Sequence, residues 1–203
     1  MTRFVSRVCL SSALALVLGS SVASAQTVPP MPSKLQVGAG YSLFFKAHAV
    51  GTQNYVCLAA ATPSGVGWKF YAPEATLYQT FFGQFTQQVA THFLSANPLE
   101  GGIPRATWQS SIDTSRVWAR MIEQSNDAAY VAPGAIPWFL LTVVGYEGGP
   151  EGGSFLTPTA YIQRLNTSGG IAPAGGCESA TNIGAMVLVP YEADYFFYKA
   201  RGR

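Results

Sequence analysis

The chain holds two histidines, His48 and His92, and any imidazole chemistry near neutral pH has to run through them. Tyr41 to Val50 alternates, with Tyr41, Leu43, Phe45 and Ala47 on one face and Ser42, Phe44, Lys46 and His48 on the other. His48 therefore shares a strand face with a lysine, a serine and a phenylalanine, and a half-exposed strand histidine without a chemical role is its plainer reading. His92 stands in Thr91-His92-Phe93 ahead of an irregular stretch, Ser95 to Pro104, and binding groups concentrate where strands meet loops. Trp108 and the Asp113–Arg116 turn follow. Aromatic surface with a few convergent polar groups is what ligand sites use, so a surface depression is expected beside this loop, bordered by His92, Trp108, Asp113 and Arg116. A histidine tied to loop backbone, next to a variable insertion, is the alternative. Acid–base catalysis would pair His48 or His92 with Asp113 or Glu74.

The sequence lacks the other constellations that announce a reaction. It has no Gly-x-Ser-x-Gly elbow, no His-Glu-x-x-His pair, no phosphate-cradling loop and no EF-hand loop. Gly38-Ala39-Gly40 lacks the third glycine and the following helix of a dinucleotide site. A zinc site would need both histidines plus a carboxylate or the cysteines. No metal and no cofactor are expected.

The compartment is written at the start of the chain. Arg3 and Arg7 precede an apolar core from Val8 to Leu18, and Ala23-Ser24-Ala25 offers a small-x-small cleavage site. Residues 1–25 are expected to be a cleaved signal peptide, too short to stay as a transmembrane helix, and residues 26–203 one domain, secreted or periplasmic. No lipid-anchor cysteine follows the apolar core. Cys9 leaves with the leader, and Cys57 and Cys177 remain. In an oxidising compartment two such cysteines are expected to pair, with two buried free thiols the alternative. Setting aside Arg3 and Arg7 leaves ten basic residues against ten acidic ones. A chain near neutrality has no electrostatic footprint for nucleic acid or an anionic membrane.

The elements that must position these residues read as strands. Val28-Pro29-Pro30-Met31-Pro32 is an extended lead-in. Gln53 to Ala59 follows Gly51, which resembles a hairpin return. Val66 to Tyr71, Thr76 to Phe82, Thr114 to Ile122, Thr159 to Asn166, Ala185 to Val189 and Asp194 to Lys199 are further candidates. Ile136 to Val144 is apolar at nearly every position and reads as a central strand, with Phe139 and Leu141 buried and Trp138 in the core. On Thr114 to Ile122, Trp118 is expected between Arg116 and Arg120 in ordinary Arg–aromatic contact. Ser95 to Pro104 and Gly145 to Gly153 are the longest loops. No segment carries a capped 3.6-residue period. The expected fold is all-β: a single-domain β-sandwich, jelly-roll-like, of about ten short strands. Asn166-Thr167-Ser168 is a glycosylation sequon, which matters in a eukaryotic host.

Several ordered segments carry a family resemblance. They include Ala47-His48-Ala49-Val50-Gly51 through Cys57, Trp68-Lys69-Phe70 with Ala72-Pro73-Glu74-Ala75, and Thr91-His92-Phe93. Ala135-Ile136-Pro137-Trp138, Tyr161 to Thr167 with Gly169-Gly170 and Pro173, and Cys177 complete the series. From about Pro29 to Tyr198 the chain resembles the secreted bacterial and fungal family catalogued as domain of unknown function 3455. The resemblance implies no activity. Fungal members often carry a malate dehydrogenase label, which this sequence, without a dinucleotide fingerprint, does not support. The family pattern continues after the histidine with a Gly-Pro-x-Trp-Glu turn and an Asp-Gly-Ser segment. Here Leu94 to Pro104 resembles an insertion, and Trp108-Gln109 lacks the glutamate.

The leading expectation is a non-catalytic secreted or periplasmic protein that binds a small molecule or glycan, or serves the envelope. The alternative is a secreted hydrolase or lyase using His48 or His92 with a carboxylate. A self-associating surface or matrix protein is a third class. Whether the two histidines and a carboxylate converge in one pocket discriminates the first two.

Overall fold

The computed structural model describes residues 27–202, so the expected leader and its cleavage site lie outside the described residues. The described residues form eight antiparallel strands: β1 Tyr41–Ala59, β2 Val66–Phe81, β3 Phe85–Asn97, β4 Ile103–Ser110, β5 Arg116–Ser125, β6 Trp138–Glu147, β7 Thr159–Gly169 and β8 Met186–Ala200. Each strand pairs with the next in sequence, and β1 also pairs with β8, from Tyr41↔Ala200 to Val56↔Met186. The sheet is therefore a closed up-and-down barrel. The expected sandwich or jelly roll needs two sheets with free edges, and the β1–β8 pairing leaves none.

Eight strands replace the expected ten or so because three apparent strand breaks fall inside strands, merging six candidates into β1, β2 and β8, while β3 and β4 lie where no strand was expected. Thr52 pairs with Pro190 and Gln53 with Pro73, so Gly51 and the two prolines lie along one line crossing β2, β1 and β8. The β1–β2 register slips just beyond it, between Asn54 and Tyr55. A Cβ on Gly51 would collide with the carbonyl oxygen of Glu74 and with Ala75. Gly51 is thus the close approach of two strands and not a hairpin return.

The stretch from Ser95 to Pro104 is likewise no long loop. β3 runs to Asn97, a single 3-10 turn spans Pro98–Glu100, and β4 starts at Ile103. Asn97 Oδ1 accepts from the Leu99 amide at 3.1 Å, and Arg105 grips Glu100 through two bonds of 2.7 and 2.8 Å. β4 pairs with β5 over a short register, Ala106↔Ala119 to Gln109↔Arg116. Beyond it the β3–β4 hairpin leaves the wall and lies against the outer faces of β5 and β6. There Trp118 Nε1 donates to Ser95 Oγ at 2.9 Å and Asn97 Nδ2 to the Val144 carbonyl at 3.3 Å.

Inward-facing Phe45, Leu77, Val117, Ile162 and Phe197 fill much of the barrel, among small Ala47, Ala49, Ala90 and Ala193. The β6–β7 connection closes one end with Leu156, fully buried, and with Phe155, whose ring meets Phe45 edge-on at 5.0 Å. A second apolar cluster lies outside the wall. Leu35, Met31 and Val37 of the lead-in pack there on Leu140, Leu165, Phe196 and Trp138. Leu141 is buried as expected, whereas Phe139 is half-buried because it borders a cavity. Cys57 and Cys177 are joined, with Cα atoms 5.5 Å apart.

Candidate functional site

A cavity of about 430 Å³ occupies the half of the barrel opposite the Leu156 plug. Its floor is an aromatic group built by strand register. His92 on β3 lies directly opposite Trp108 on β4, and residues so paired on one face touch. Their rings stack at 4.2 Å and 11°, and Tyr195 of β8 meets them at 5.3 and 5.4 Å. Ala75 stands opposite His92 on the other side, and Ala106 and Ala119 border the cavity. These small side chains leave the room that the large ones do not fill.

His92 is 4% exposed, and its Nδ1 lies 2.9 Å from the Thr107 carbonyl oxygen. A carbonyl can only accept, so Nδ1 carries the proton and Nε2 the lone pair. Desolvation pushes its pKa down to about 3, and the positive charge of Arg164 acts in the same direction. At neutral pH His92 is an uncharged imidazole. Burial likewise raises the Tyr191 and Tyr195 phenols, against which the Arg164 charge works.

Arg164 on β7 is the residue the sequence reading missed. It is 7% exposed, yet no carboxylate among the described residues pairs with it. Nε and Nη2 donate to the Pro137 carbonyl oxygen at 3.2 and 2.9 Å, and the guanidinium stands 3.9 Å from the Phe139 ring centre. Two more donors of cavity-lining residues are unsatisfied: Gln53 Nε2 and Trp108 Nε1 are sealed from solvent and have no hydrogen-bond partner among the described residues. Arg105 and Arg120 also border the cavity, which no aspartate or glutamate lines. A strand-period reading could have flagged Arg164, which shares a strand face with Ile162 two residues earlier.

The remaining predicted residues lie elsewhere. Asp113 accepts from the Ser115 amide and hydroxyl, and from the Phe155 amide at 2.7 Å. These bonds hold its carboxyl below the usual range, against desolvation, which is the largest influence and raises it. It anchors the plug and does not line the cavity. Arg116 pairs with Glu147 at 3.1 Å and lies over the Trp118 ring at 5.9 Å, so the expected Arg–aromatic contact is present. His48 is on the outer face, with Nδ1 3.0 Å from Asp194 and Nε2 3.6 Å from Glu192. Lys46 Nζ and Asn166 Nδ2 also bind Asp194, at 3.1 and 2.9 Å. The structure thus brings His92 and Trp108 together and separates them from Asp113, Arg116 and His48.

The disulfide ties the end of β1 to the β7–β8 connection. The Cys57 amide donates to the Ala185 carbonyl at 2.8 Å, the Cys57 carbonyl accepts from Gly184 at 2.9 Å, and Trp68 Nε1 donates to Gly175 at 3.0 Å. Among the described residues no helix is long and apolar enough to cross a membrane, and no group of three or more His, Cys, Asp or Glu side chains gathers to hold a metal ion.

Comparison with known proteins gives one finding. Residues 38–199 match the family described as "Protein of unknown function (DUF3455)". No curated protein and no solved structure matches the chain.

Proposed function

The chain belongs to the DUF3455 family, and from its barrel we propose a secreted or periplasmic, non-catalytic protein that binds a small organic molecule inside the wall. The observation that carries this reading is the 430 Å³ cavity with Trp108, Phe139 and Tyr195 on its walls and unsatisfied donors at its edge. Cavities of this size hold small ligands, and an eight-stranded barrel is wide enough for one. The disulfide fits an oxidising compartment. Trp108 is 1% exposed, so it offers no surface platform on which a glycan could lie.

The hydrolase or lyase reading has less support. His48 and His92 face opposite sides of the wall, so they do not converge on one substrate. His92 is uncharged with Nδ1 committed to Thr107, and no carboxylate lines its cavity. A poised general acid or base needs a pKa near the working pH.

The test uses the uncharged fluorophore N-phenyl-1-naphthylamine, which brightens in apolar surroundings. Wild-type protein should bind it saturably with one site, and Ala106→Phe, which fills the cavity, should abolish binding while keeping the β-sheet circular dichroism. No saturable binding to the wild type, or full binding to the folded variant, overturns the reading.

A further inference from the structure

The barrel reading names a place for a ligand but not its chemistry. Resting on that reading, we propose that the ligand is a monocarboxylate with an aromatic or branched apolar body, its carboxylate held by Arg164. Taking a guanidinium out of water is costly unless it is paired, and Arg164 has no counter-ion among the described residues. Pro137 takes only two of its five N–H donors. The fork geometry of the rest matches the two oxygens of a carboxylate.

The neighbours point the same way. Gln53 Nε2 and Trp108 Nε1 are donors without acceptors, on side chains 3% and 1% exposed. Each is a buried N–H whose desolvation is uncompensated, and the Gln53 amide needs only to turn toward the cavity it borders to meet an acceptor there. An anion at Arg164 matches its charge and offers the Gln53 amide an acceptor, whereas a cation would meet Arg164 and Arg120 with no acid among the lining residues. Arg105 is already neutralised by Glu100 at 2.7 Å and Arg120 is exposed to solvent, so the one buried charge left to be matched is that of Arg164. That favours a monoanion over a phosphate dianion. The body of the ligand would meet Phe139, Leu141 and the Trp108–His92 stack, which are apolar or uncharged surfaces.

The probes are 2-naphthoate, 2-naphthylmethanol and 2-naphthyl phosphate, one ring system with a monoanionic, a neutral and a dianionic head. Each is titrated by calorimetry and by displacement of N-phenyl-1-naphthylamine. Wild-type protein should prefer the carboxylate over the alcohol by about tenfold to a hundredfold, the range of a charge-assisted hydrogen bond, and over the phosphate by a clear margin. Arg164→Met should bring carboxylate and alcohol to equal affinity while still binding the uncharged fluorophore, and Arg164→Lys should retain part of the preference. Gln53→Leu, which keeps Arg164 and its bond to Pro137, should weaken the carboxylate several-fold and spare the alcohol. That variant decides if the Arg164 variants do not fold. Equal affinity for carboxylate and alcohol in the wild type, a preference for the phosphate, or an undiminished carboxylate preference in Arg164→Met or Gln53→Leu overturns the carboxylate assignment alone. Failure of the neutral fluorophore to enter the wild type overturns the binding reading beneath it.

Discussion

A histidine that folding keeps neutral makes stability depend on pH. His92 has an ordinary pKa of 6.5 and a folded one of about 3. Between these values the unfolded chain takes up a proton that the folded chain refuses, so the stability His92 contributes is present above about pH 6.5 and is lost as pH falls toward 3. The full loss is on the order of 5 kcal/mol. His92→Asn can keep a donor to the Thr107 carbonyl but cannot be protonated. Urea unfolding at pH 7 and pH 4 should show a smaller drop for His92→Asn than for the wild type, although the variant starts less stable. An equal drop would mean that His92 is solvated and outside the aromatic stack. The sequence marked His92 and Trp108 for a reason the structure does not sustain, since no long loop follows His92. What joins them is cross-strand register, a property of pairing that a single sequence does not display. Arg164 went unmarked because a cation on a strand ordinarily faces water, and only closure of the sheet turns its face inward.

The elements were legible as strands and illegible as lengths. The candidate strands cover most of β1, β2, β5, β7 and β8, in β1 and β5 through alternation and elsewhere through Val, Phe and Tyr content. Gly51, Pro73 and Pro190 then divided β1, β2 and β8, because glycine and proline are ordinary strand-end signals. Their alignment on adjacent strands makes them a shared feature of the wall, visible once the pairing is known. β4 and most of β3 were missed because Pro98, Gly101, Gly102 and Pro104 cluster around a hairpin tip. At this scale Asp113 acquires its role. It links the β4–β5 turn to Phe155 at 2.7 Å and to Ser115, and the Ser115 hydroxyl accepts from the Leu156 amide at 3.0 Å. Asp113→Ala should therefore cost about 2 kcal/mol, the scale of hydrogen bonds to a charged group, by loosening the plug. It should leave N-phenyl-1-naphthylamine binding intact, because the cavity lies toward the other end. Reduced affinity in a fully folded variant would place Asp113 in the binding machinery.

At the scale of the molecule, two unlike devices hold the ends of one barrel. The Phe155–Leu156 plug seals one end through packing and hydrogen bonds, and the Cys57–Cys177 bond fastens the β7–β8 connection to β1 at the other. The bridged residues are 120 apart in sequence, so the bond restricts much of the unfolded chain. The chain-entropy model puts that restriction at roughly 4–5 kcal/mol as an upper figure, comparable with the net stability of a small domain. Cys57 is fully buried beside Val66 and Trp68, which shields the bond from solvent thiols in the folded state. Reductant should therefore act slowly on native protein and quickly once the strands open. Melting with and without reductant should show a lower Tm for the reduced wild type. Cys57→Ser combined with Cys177→Ser should melt at or below the reduced wild-type value and ignore reductant. The neutral fluorophore distinguishes the two consequences of the loss. If the bond only restrains the unfolded chain, the double variant binds the fluorophore as the wild type does below its lower Tm. If the fastened connection also shapes the mouth, binding weakens at temperatures where circular dichroism still reports an intact barrel. The Tyr55 hydroxyl donates to the Gly170 carbonyl at 2.6 Å, and the Cys57 backbone bonds to Gly184 and Ala185. These contacts hold the connection at both ends without the sulfurs, so the expected result is lower stability with binding retained.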